Sequence, residues 1–406
     1  MGMMGRNSVL EKLRARARNA IGKPAPYGMD VDFKRFLEYR PRRLLSVFGE
    51  KGRVARVGID LSASTRSGYF YQTDSRVELY RSLVPGVEIM PTGQAVEEKW
   101  DEIEDFFWRI VPVDTDKYTA LTFLKGVHGY YVRVKKNTRV RLPIQACLLM
   151  SGGAQLIHNI IVLEEGAEAT LITGCAIAPE VLGLHVGVSE FYVERGAKLV
   201  FAMIHSWNQV THVRPRSAAL LGDEAVYASY YLNMSRTRSV QTIPRIIARG
   251  KRSRAYAASI ILGQGDSVYD IGTYAILSGE ESSSELVSRF VVKDRARAVS
   301  RLRIDGVASK VRGYTECRGL LLSDGSSVEA IPHLMGSNPD SDLFHEASIG
   351  KLREDEVEYL MLKGFRYEEA VSMLVRGFVD VELKYPTPEV ERSLTTMLDA
   401  LAKRSV

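Results

Sequence analysis

The chain has 406 residues, enough for one large domain with satellites or for two or three smaller domains. Its 55 Lys and Arg against 49 Asp and Glu give a formal net charge of +6, too small and too widely spread to indicate an acidic or nucleic-acid partner by itself. The three cysteines lie far apart, which argues against a disulfide framework and predicts a reducing compartment. No apolar run reaches about 18 residues and the N-terminus has no signal-like apolar segment, so we expect a soluble cytoplasmic protein without membrane contact.

Residues 1–116 have the pattern of a mixed N-terminal region that begins with helices. Its basic, aromatic segment FKRFLEYRPRRLL is where a nucleic-acid-binding hypothesis would start, but such charge runs are more often solvated helix faces. The predicted elements are a helix capped by Ser8, a second helix within the segment 33–45 that ends near Pro41, strands over 57–65 and 68–83, and a helix from Gln94 to Ile110.

From residue 117 to residue 338 the sequence consists of short apolar strands separated by small polar turns. The turn unit repeats as VLEEGAEATLI, YVERGAKLVFA, LLGDEAVYASY, IIARGKRSRAYAA, VVKDRARAVSRL and LLLSDGSSVEAI. Most successive turns lie roughly 27 to 30 residues apart, a period typical of solenoids. One interval is longer, so a weaker turn is predicted between Ser278 and Ser284. No helical segment separates the strands, which disfavours a doubly wound sheet and favours a mainly β fold with a β-solenoid core.

Residues 339–406 return to helical spacing. REDEVEYLMLKG predicts a helix with Gly364 at its C-terminal cap, RYEEAVSMLVRGF predicts a second, and a last helix is predicted from Pro388 to Lys403. Terminal helices can cap a solenoid or offer an apolar face to a partner, and the sequence pattern favours neither alternative over the other.

The strongest chemical signal is Cys317, followed some 28 residues later by His345 and Glu346. Thiolate, imidazole and carboxylate together suit iron or zinc. If one rung takes 27 to 30 residues, the His-Glu pair lies one strand spacing of about 4.8 Å from Cys317. Adjacent residues of a strand face opposite ways, so only one of the pair can face Cys317 within the subunit and the other can face a second chain. Taken alone, a single cysteine is more often a core residue than a ligand.

Several blocks of the chain resemble one family. YTECRGLLLSDGSSVEAIPHL and FHEASIGKL are similar to the C-terminal half of SufB and SufD, the scaffold subunits of the Suf iron–sulfur cluster assembly machinery. TGCAIAP and LHVGVSEFYVERGA are similar to the family's middle region, in the same order and at similar spacing. The resemblance covers roughly residues 55 to 380. It implies a right-handed parallel β-helix between N-terminal and C-terminal helical regions, and C-terminal helices that dock a SufC-type ATPase.

The resemblance also implies site residues. Cys317, His345 and Glu346 match the blocks that hold a transient cluster, and Cys175 matches the cysteine that receives sulfur from a donor protein. Many SufB chains have an Arg near Leu149, and its absence here leaves the sulfur route open. Two solenoid ends would meet in a homodimer or in a pair with a SufD-like paralogue, and apo iron–sulfur proteins would receive the cluster. The type of cluster and the participation of a flavin are left open.

The other histidines and cysteine give weaker signals. His333 is kept as a reserve ligand because it lies near the candidate site in sequence. Cys147 has apolar neighbours and is predicted to be a core residue. His185 and His205 lie on strand-like runs and are predicted to be core histidines. The histidines at 128, 158 and 212 have no ligand spacing with a cysteine, so all five are left out.

Three functional hypotheses remain. The first is a non-enzymatic scaffold for iron–sulfur cluster assembly; since the chain has no GxxxxGK[ST] phosphate loop, ATP would act only through a partner subunit. The second is a β-helix enzyme acting on a polysaccharide, disfavoured because the acidic residues lie mostly in turns rather than on one face. The third is a nucleic-acid-binding solenoid that uses the Arg-rich N-terminal segments, for which no base-reading motif is present. We adopt the first hypothesis.

Overall fold

The computed structural model describes residues 2–405, apart from the side chains of residues 2–4, 63, 389, 390 and 393. Its centre is a β-solenoid of about eight turns with flanking helices, which confirms the predicted mainly β fold. The strands are β1 Gly68–Thr73, β2 Arg76–Ser82, β3 Val87–Pro91, β4 Tyr130–Val134, β5 Ile144–Met150, β6 Gly153–Leu163, β7 Glu168–Ile177, β8 Gly183–Val193, β9 Lys198–Ser206, β10 Thr211–Val213, β11 Arg216–Leu221, β12 Val226–Asn233, β13 Ser239–Thr242, β14 Arg245–Ala248, β15 Arg254–Gly263, β16 Val268–Leu277, β17 Ser283–Val292, β18 Arg297–Gly306, β19 Arg312–Leu321, β20 Ser327–Gly336 and β21 Asp342–Lys351.

Helices lie before and after the solenoid strands. Short 3₁₀ segments occur at Val47–Gly49 and Ala63–Thr65. No helix among residues 2–405 combines the length and the apolar character needed to cross a bilayer. The α-helices are α1 Gly2–Ala20, α2 Lys34–Glu38, α3 Lys51–Ala55, α4 Thr92–Glu98, α5 Trp100–Ile103, α6 Lys117–Lys125, α7 Glu354–Leu362, α8 Tyr367–Val379 and α9 Pro388–Arg404.

The strands form two facing sheets. Sheet 1 has the order β2-β1-β5-β7-β9-β12-β15-β17-β19-β21, and sheet 2 contains β3, β4, β6, β8 and the remaining strands up to β18 and β20. Pairing is parallel except between β1 and β2 and between β3 and β4. Paired residues lie one rung apart in sequence: Cys175 pairs with His205, and Ser288 pairs with Cys317. The predicted repeat of 27 to 30 residues is therefore the length of one two-strand rung.

The turns explain the sequence repeat. Several of the tight turns contain one residue with a left-handed backbone, a conformation that glycine adopts without strain. Gly166 and Gly196 take this position with φ of 67° and 65°, whereas Glu281 takes it with φ of 60°. The turn at Glu281 is the weaker turn predicted between Ser278 and Ser284.

Side chains alternate between the solenoid interior and its outer faces. The interior is a continuous apolar core with Phe191, Phe201 and Phe290 at its centre. The outer face of sheet 1 packs against α3, α8 and α9 in a second core. The outer face of sheet 2 packs against α1, α4, α5 and α6 in a third. The helices therefore cover both outer faces and leave the interior to the strands.

The N-terminal region departs from prediction in three places. The first helix begins at Gly2 rather than near Ser8, and no strand forms over 57–65. The helix predicted from Gln94 to Ile110 is interrupted at Lys99, between α4 and α5, and ends at Ile103. Beyond Ile103 the buried carboxylate of Glu190 on β8 accepts hydrogen bonds from the backbone N–H groups of the loop. In a continuous helix these N–H groups would donate to carbonyl groups of the preceding turn. A tertiary contact therefore outweighs the local helical pattern here.

The three predicted C-terminal helices are confirmed as α7, α8 and α9, and Gly364 ends the first of them with φ of 97°. The strand pattern itself continues past residue 338 through β21. β20 and β21 are the last strands of their sheets, and among the described residues no strand pairs with their outer edges. The solenoid thus has an open end, formed by a terminal rung of β20 and β21.

Candidate functional site

Cys317 lies on β19, one rung below the open end. Its side chain belongs to the interior core and is 5% exposed. Burial raises the pKa of the Cys317 thiol, while hydrogen bonds from Ser300 and Ser288 and the charge of Arg289 act in the opposite direction. The two serine hydroxyls are 2.8 Å apart, one from each sheet. The thiol therefore has donors ready to stabilise a thiolate once a cation displaces its proton.

Two alanines of the terminal rung cover this position. Ala347 on β21 pairs with Cys317, and Ala330 on β20 pairs with Ser300. Ala347 is exposed and Ala330 is half-buried. Because each contributes only a methyl group, little side-chain volume separates the Cys317 sulfur from the solvent at the open end.

The structure separates His345 from Glu346, as expected for neighbours in a strand. His345 pairs with Thr315, two residues before Cys317 on β19, so it shares the inward face of Cys317. Glu346 faces outward and accepts hydrogen bonds from the Tyr314 hydroxyl at 2.9 Å and the Arg318 guanidinium at 3.2 Å. The Tyr314 hydrogen bond, followed by the charge of Arg318, lowers the pKa of the Glu346 carboxyl.

The reserve ligand is on the wrong face for Cys317. His333 pairs with Arg303, whose guanidinium binds Asp305 on the outer surface of sheet 2. Side chains at alternate positions of β20, including Ala330, point inward. Within one chain, His345 is therefore the imidazole nearest in register to Cys317, and His333 belongs to the exterior.

Cys175 lies on β7 in the solenoid interior and is fully buried. Burial raises the pKa of the Cys175 thiol well above its ordinary value. A thiol that receives sulfur must act as a thiolate, so this position needs a nearby group that takes its proton or neutralises the charge. Cys147 and Leu149 point to the opposite, outer side of sheet 1, where they pack under the helices. Cys147 is thus the core residue that was predicted, and Leu149 does not line the interior.

Two histidines that the sequence analysis set aside lie beside Cys175. His205 pairs with Cys175 across sheet 1, and His185 faces both from sheet 2. One possible ligand atom from each of the three residues lies within 4.8 Å of the other two. The signal that could have found them is the rung length, since residues 175 and 205 are one repeat apart. The contribution of His185 depends on the facing sheet, which the period does not specify.

Cys175 and Cys317 belong to separate places in the same interior. From β7 to β19 the order of sheet 1 contains five strand spacings, which at about 4.8 Å each puts the two residues roughly 24 Å apart. The inward column that leads to Cys317 carries Ser288, Ser259 and Tyr231 on successive rungs. The two cysteines therefore cannot bind the same ion, and a line of hydroxyl groups lies between them.

Comparison with known proteins decides the family. A family model described as "SUF system FeS cluster assembly, SufBD core domain" matches residues 148–378, which is more than half of the chain. The chain belongs to the SufBD family of iron–sulfur cluster assembly proteins. The matched segment contains most of the solenoid, the open end and helices α7 and α8.

Relatives support the assignment over nearly the whole chain. An iron–sulfur cluster assembly SufBD family protein of Methanothermobacter thermautotrophicus is 39% identical over 402 residues, covering 96% of this chain and 98% of the relative. Another from Archaeoglobus fulgidus is 40% identical over 336 residues, covering 82% and 90%. A chloroplast SufBD family protein of Arabidopsis thaliana is 25% identical over 380 residues, covering 90% and 66%. The resemblance found in the sequence motifs is confirmed.

Proposed function

We propose that this SufBD protein is a scaffold on which a nascent iron–sulfur cluster is assembled at Cys317 and then passed to apo-proteins. Iron and sulfide are its substrates, and the chain is not itself an enzyme. The observation that carries the proposal is the position of Cys317, a buried thiol one rung below an open end, under Ala347 and Ala330. A scaffold ligand must bind iron and later release it, and a thiol beside an open edge can do both.

Within one chain, His345 is the second ligand that best fits the proposal, because it shares the inward face of Cys317. Glu346 faces outward, where it is engaged by Tyr314 and Arg318. As a cluster ligand it would act from a second chain, or after exchanging these hydrogen bonds for iron. A carboxylate that already accepts two hydrogen bonds would bind iron weakly, which suits a cluster that has to leave.

The open end is the surface that would meet the second chain. Among the described residues no strand pairs with the outer edges of β20 and β21, and proteins usually cover such edges. Met335, Phe344 and Ile349 expose apolar surface on the same rung. We propose that a second copy, or a SufD-like paralogue, covers this rung and brings duplicate Cys317, His345 and Glu346 side chains together.

Cys175 is the proposed acceptor of sulfur from a donor protein. Its place in the interior supports a role upstream of Cys317, because the hydroxyls of Tyr231, Ser259 and Ser288 lie on the rungs between them. Burial keeps the thiol protonated, so sulfur transfer would require an opening motion of the solenoid or a group that deprotonates it.

The C-terminal helices are the proposed docking surface for a SufC-type ATPase. Several apolar side chains are exposed along α7, the first half of α8 and the loop between them, and we call this set the helix patch. Since the chain has no phosphate loop, ATP hydrolysis in the docked partner would supply the motion that opens or closes the sites. The residues of the helix patch are Tyr359, Met361, Leu362, Phe365, Tyr367 and Met373.

The test is anaerobic reconstitution with iron and sulfide of the wild-type chain, Cys317→Ala and Cys147→Ala, each co-expressed with the ATPase partner. Wild type and Cys147→Ala, a matched change at a buried outer-core cysteine, should gain a visible thiolate-to-iron absorption band. Cys317→Ala should stay colourless at equal folded content by circular dichroism. A colourless wild type, or equal colour in Cys317→Ala, would show that the proposed site is wrong.

A further inference from the structure

The interior of the solenoid contains one thiol and two imidazoles, which are polar groups that an apolar core does not need for its packing. Cys175, His185 and His205 are each at most 1% exposed, and their potential ligand atoms lie within 4.8 Å of one another. Trp207 packs beside both imidazole rings, with ring centroids 4.9 Å from His185 and 5.1 Å from His205. Buried polar groups are costly without partners, so a cluster of this kind needs an explanation.

The hydrogen bonds around His185 fix which nitrogen is free. The Gln155 amide nitrogen donates to the Leu149 carbonyl at 2.9 Å, which orients the amide oxygen toward His185 Nδ1 at 2.9 Å. His185 Nδ1 must therefore carry the proton, and Nε2 keeps its lone pair. Gly187 leaves open the space beside this nitrogen, since a Cβ there would lie 3.0 Å from Nε2. In metal sites, a hydrogen bond from one ring nitrogen to a neighbouring oxygen orients the histidine so that its other nitrogen can bind the metal. The hydrogen bond between His185 and Gln155 has this arrangement.

His205 likewise has one ring nitrogen engaged by a neighbouring side chain and the other left without a protein partner among the described residues. Its Nδ1 lies 2.9 Å from the Tyr231 hydroxyl. Its Nε2 is buried and has no hydrogen-bond partner among the described residues. Burial lowers the pKa of both histidines, His185 to about 3, so both are neutral as metal ligands must be.

We propose that Cys175, His185 and His205 bind one divalent transition-metal ion, Zn²⁺ or Fe²⁺, in the solenoid interior. Bond lengths of about 2.3 Å to sulfur and 2.0 Å to nitrogen place tetrahedral ligand atoms about 3.3–3.5 Å apart. The three atoms, now within 4.8 Å, need to approach by roughly 1 Å, which side-chain rotation can supply. One ligand comes from each of three successive strands, β7, β8 and β9, so the fold itself builds the site.

Binding of the metal ion accounts for both the thiol proton and the charge of the site. The metal replaces the proton of the Cys175 thiol, which leaves as H⁺, and one thiolate with two neutral imidazoles leaves a net charge of +1. A small anion at the open fourth position, such as hydrosulfide, would bring this charge to zero.

The metal would also change what Cys175 can do. Coordination deprotonates a thiol outright, so it would remove the obstacle that burial creates for sulfur acceptance. That consequence rests on the proposed function, whereas metal binding itself does not. At roughly 24 Å from Cys317, a metal held here would be distinct from a cluster at the open end.

The experiment loads the full chain anaerobically with Co²⁺, without sulfide, and records the near-ultraviolet and visible spectrum. Every protein in the series carries Cys317→Ala, so that the thiolate of the proposed cluster site cannot add a band of its own. This Cys317→Ala reference should bind one equivalent at the interior site with a thiolate-to-cobalt charge-transfer band and tetrahedral d–d bands that Zn²⁺ displaces. Cys175→Ala should lose the charge-transfer band. His205→Gln, which keeps a hydrogen-bonding group near Tyr231, should weaken Co²⁺ binding at least tenfold, a change that needs only about 1.4 kcal/mol.

Cys147→Ala in the same background is the matched control, and it should keep the band. Thermal melting by circular dichroism adds a second readout: Co²⁺ should raise the melting temperature of the reference and of Cys147→Ala, but not of His205→Gln. Metal analysis of the anaerobically purified chain distinguishes Zn²⁺ from Fe²⁺. The proposal is overturned if the reference takes up no Co²⁺, if folded Cys175→Ala keeps the band, or if Cys147→Ala loses it. None of these outcomes depends on cluster reconstitution.

Discussion

Two small residues on the terminal rung set the access to the proposed cluster site. Ala347 and Ala330 lie in register above Cys317 and Ser300, and each leaves the space that a larger side chain would fill. Their neighbours at alternate positions, such as Ser348 on β21, point to the outer face instead. Residues 347 and 348 therefore offer a matched pair, in which the same substitution tests the inner and the outer side of one strand.

Ala347→Leu should block cluster formation without unfolding the chain. The leucine would lie over the Cys317 sulfur and fill the approach from the open end, while the exposed position tolerates its size at a cost within about 0.5 kcal/mol. We expect the reconstituted absorption band to fall by at least half. Ser348→Leu, on the opposite face, should leave it near wild type. Equal bands in both variants would mean that iron does not reach Cys317 from the open end.

His212 should make the fold sensitive to acid. Burial, followed by the charges of Arg214, Arg35 and Arg238, lowers the pKa of His212 to about 3. Below a pH of about 6.5 the unfolded chain binds a proton at this residue that the folded chain does not bind until near pH 3. The free energy of unfolding should therefore fall with decreasing pH over this window, by up to about 1.4 kcal/mol per pH unit.

Urea denaturation of wild type and His212→Asn at pH 6, 5 and 4.5 measures this effect. The variant should have a shallower dependence of unfolding free energy on pH, because asparagine has no proton to bind in the unfolded chain. His333→Asn makes the same change at an exposed position and should keep the wild-type dependence. Parallel curves for wild type and His212→Asn would contradict the prediction.

At the scale of elements, the three C-terminal helices are used differently. α8 and α9 bury Val371, Val375 and Leu398 against the outer face of sheet 1 and complete its core. α7 buries Val357 and exposes most of its other apolar residues. Exposed apolar patches rimmed by charges are typical of protein interfaces. The sequence left two roles open for these helices, capping the solenoid and binding a partner. α8 and α9 fit the first role, and α7 fits the second.

Leu362→Glu should weaken binding of the ATPase partner. Leu362 is 86% exposed at the end of α7, so a charge there costs the free chain little, but it would be buried unpaired in the complex. We expect at least a tenfold loss of affinity by calorimetry, with an unchanged melting temperature. Val210→Glu introduces the same charge at an exposed apolar residue of the solenoid and should leave affinity unchanged. Equal affinities in both variants would place the docking surface elsewhere.

At the scale of the whole molecule, the solenoid is covered on its sides and open at one end. Helices pack on the outer faces of both sheets, whereas the outer edges of β20 and β21 have no partner strand among the described residues. An exposed flat edge next to apolar side chains favours association with another chain. This asymmetry supports dimer formation through the terminal rung.

Phe344→Glu should dissociate the proposed dimer. Phe344 is 62% exposed on β21, and a glutamate there would place like charges near each other across a twofold interface. Sedimentation velocity should show a shift from dimer to monomer at micromolar concentration. Leu44→Glu, also at a strongly exposed apolar residue but remote from the terminal rung in sequence, should sediment like wild type. A wild-type chain that is monomeric at the same concentration would refute the homodimer.

The sequence by itself determined the repeat, the fold and the family. Because the rungs are similar in length, turn residues recur at a nearly constant interval in the sequence. This interval predicts a turn even where Glu281 stands in place of glycine. The strand alternation also predicted that His345 and Glu346 face opposite ways. The N-terminal helix from Gln94 to Ile110 was misjudged because helical spacing is a local signal and the contact with Glu190 is not.

Only the tertiary structure decided which residues share the interior. Which face of a strand points inward depends on how the two sheets pack, so the sequence could not show that Leu149 lies outside and His185 inside. The same holds for distances across the solenoid, because His185 meets Cys175 and His205 from the facing sheet. The repeat period and the strand alternation predict which residues are neighbours within one sheet. A metal-binding cluster needs side chains from both sheets to meet, and the packing of the two sheets decides which ones do.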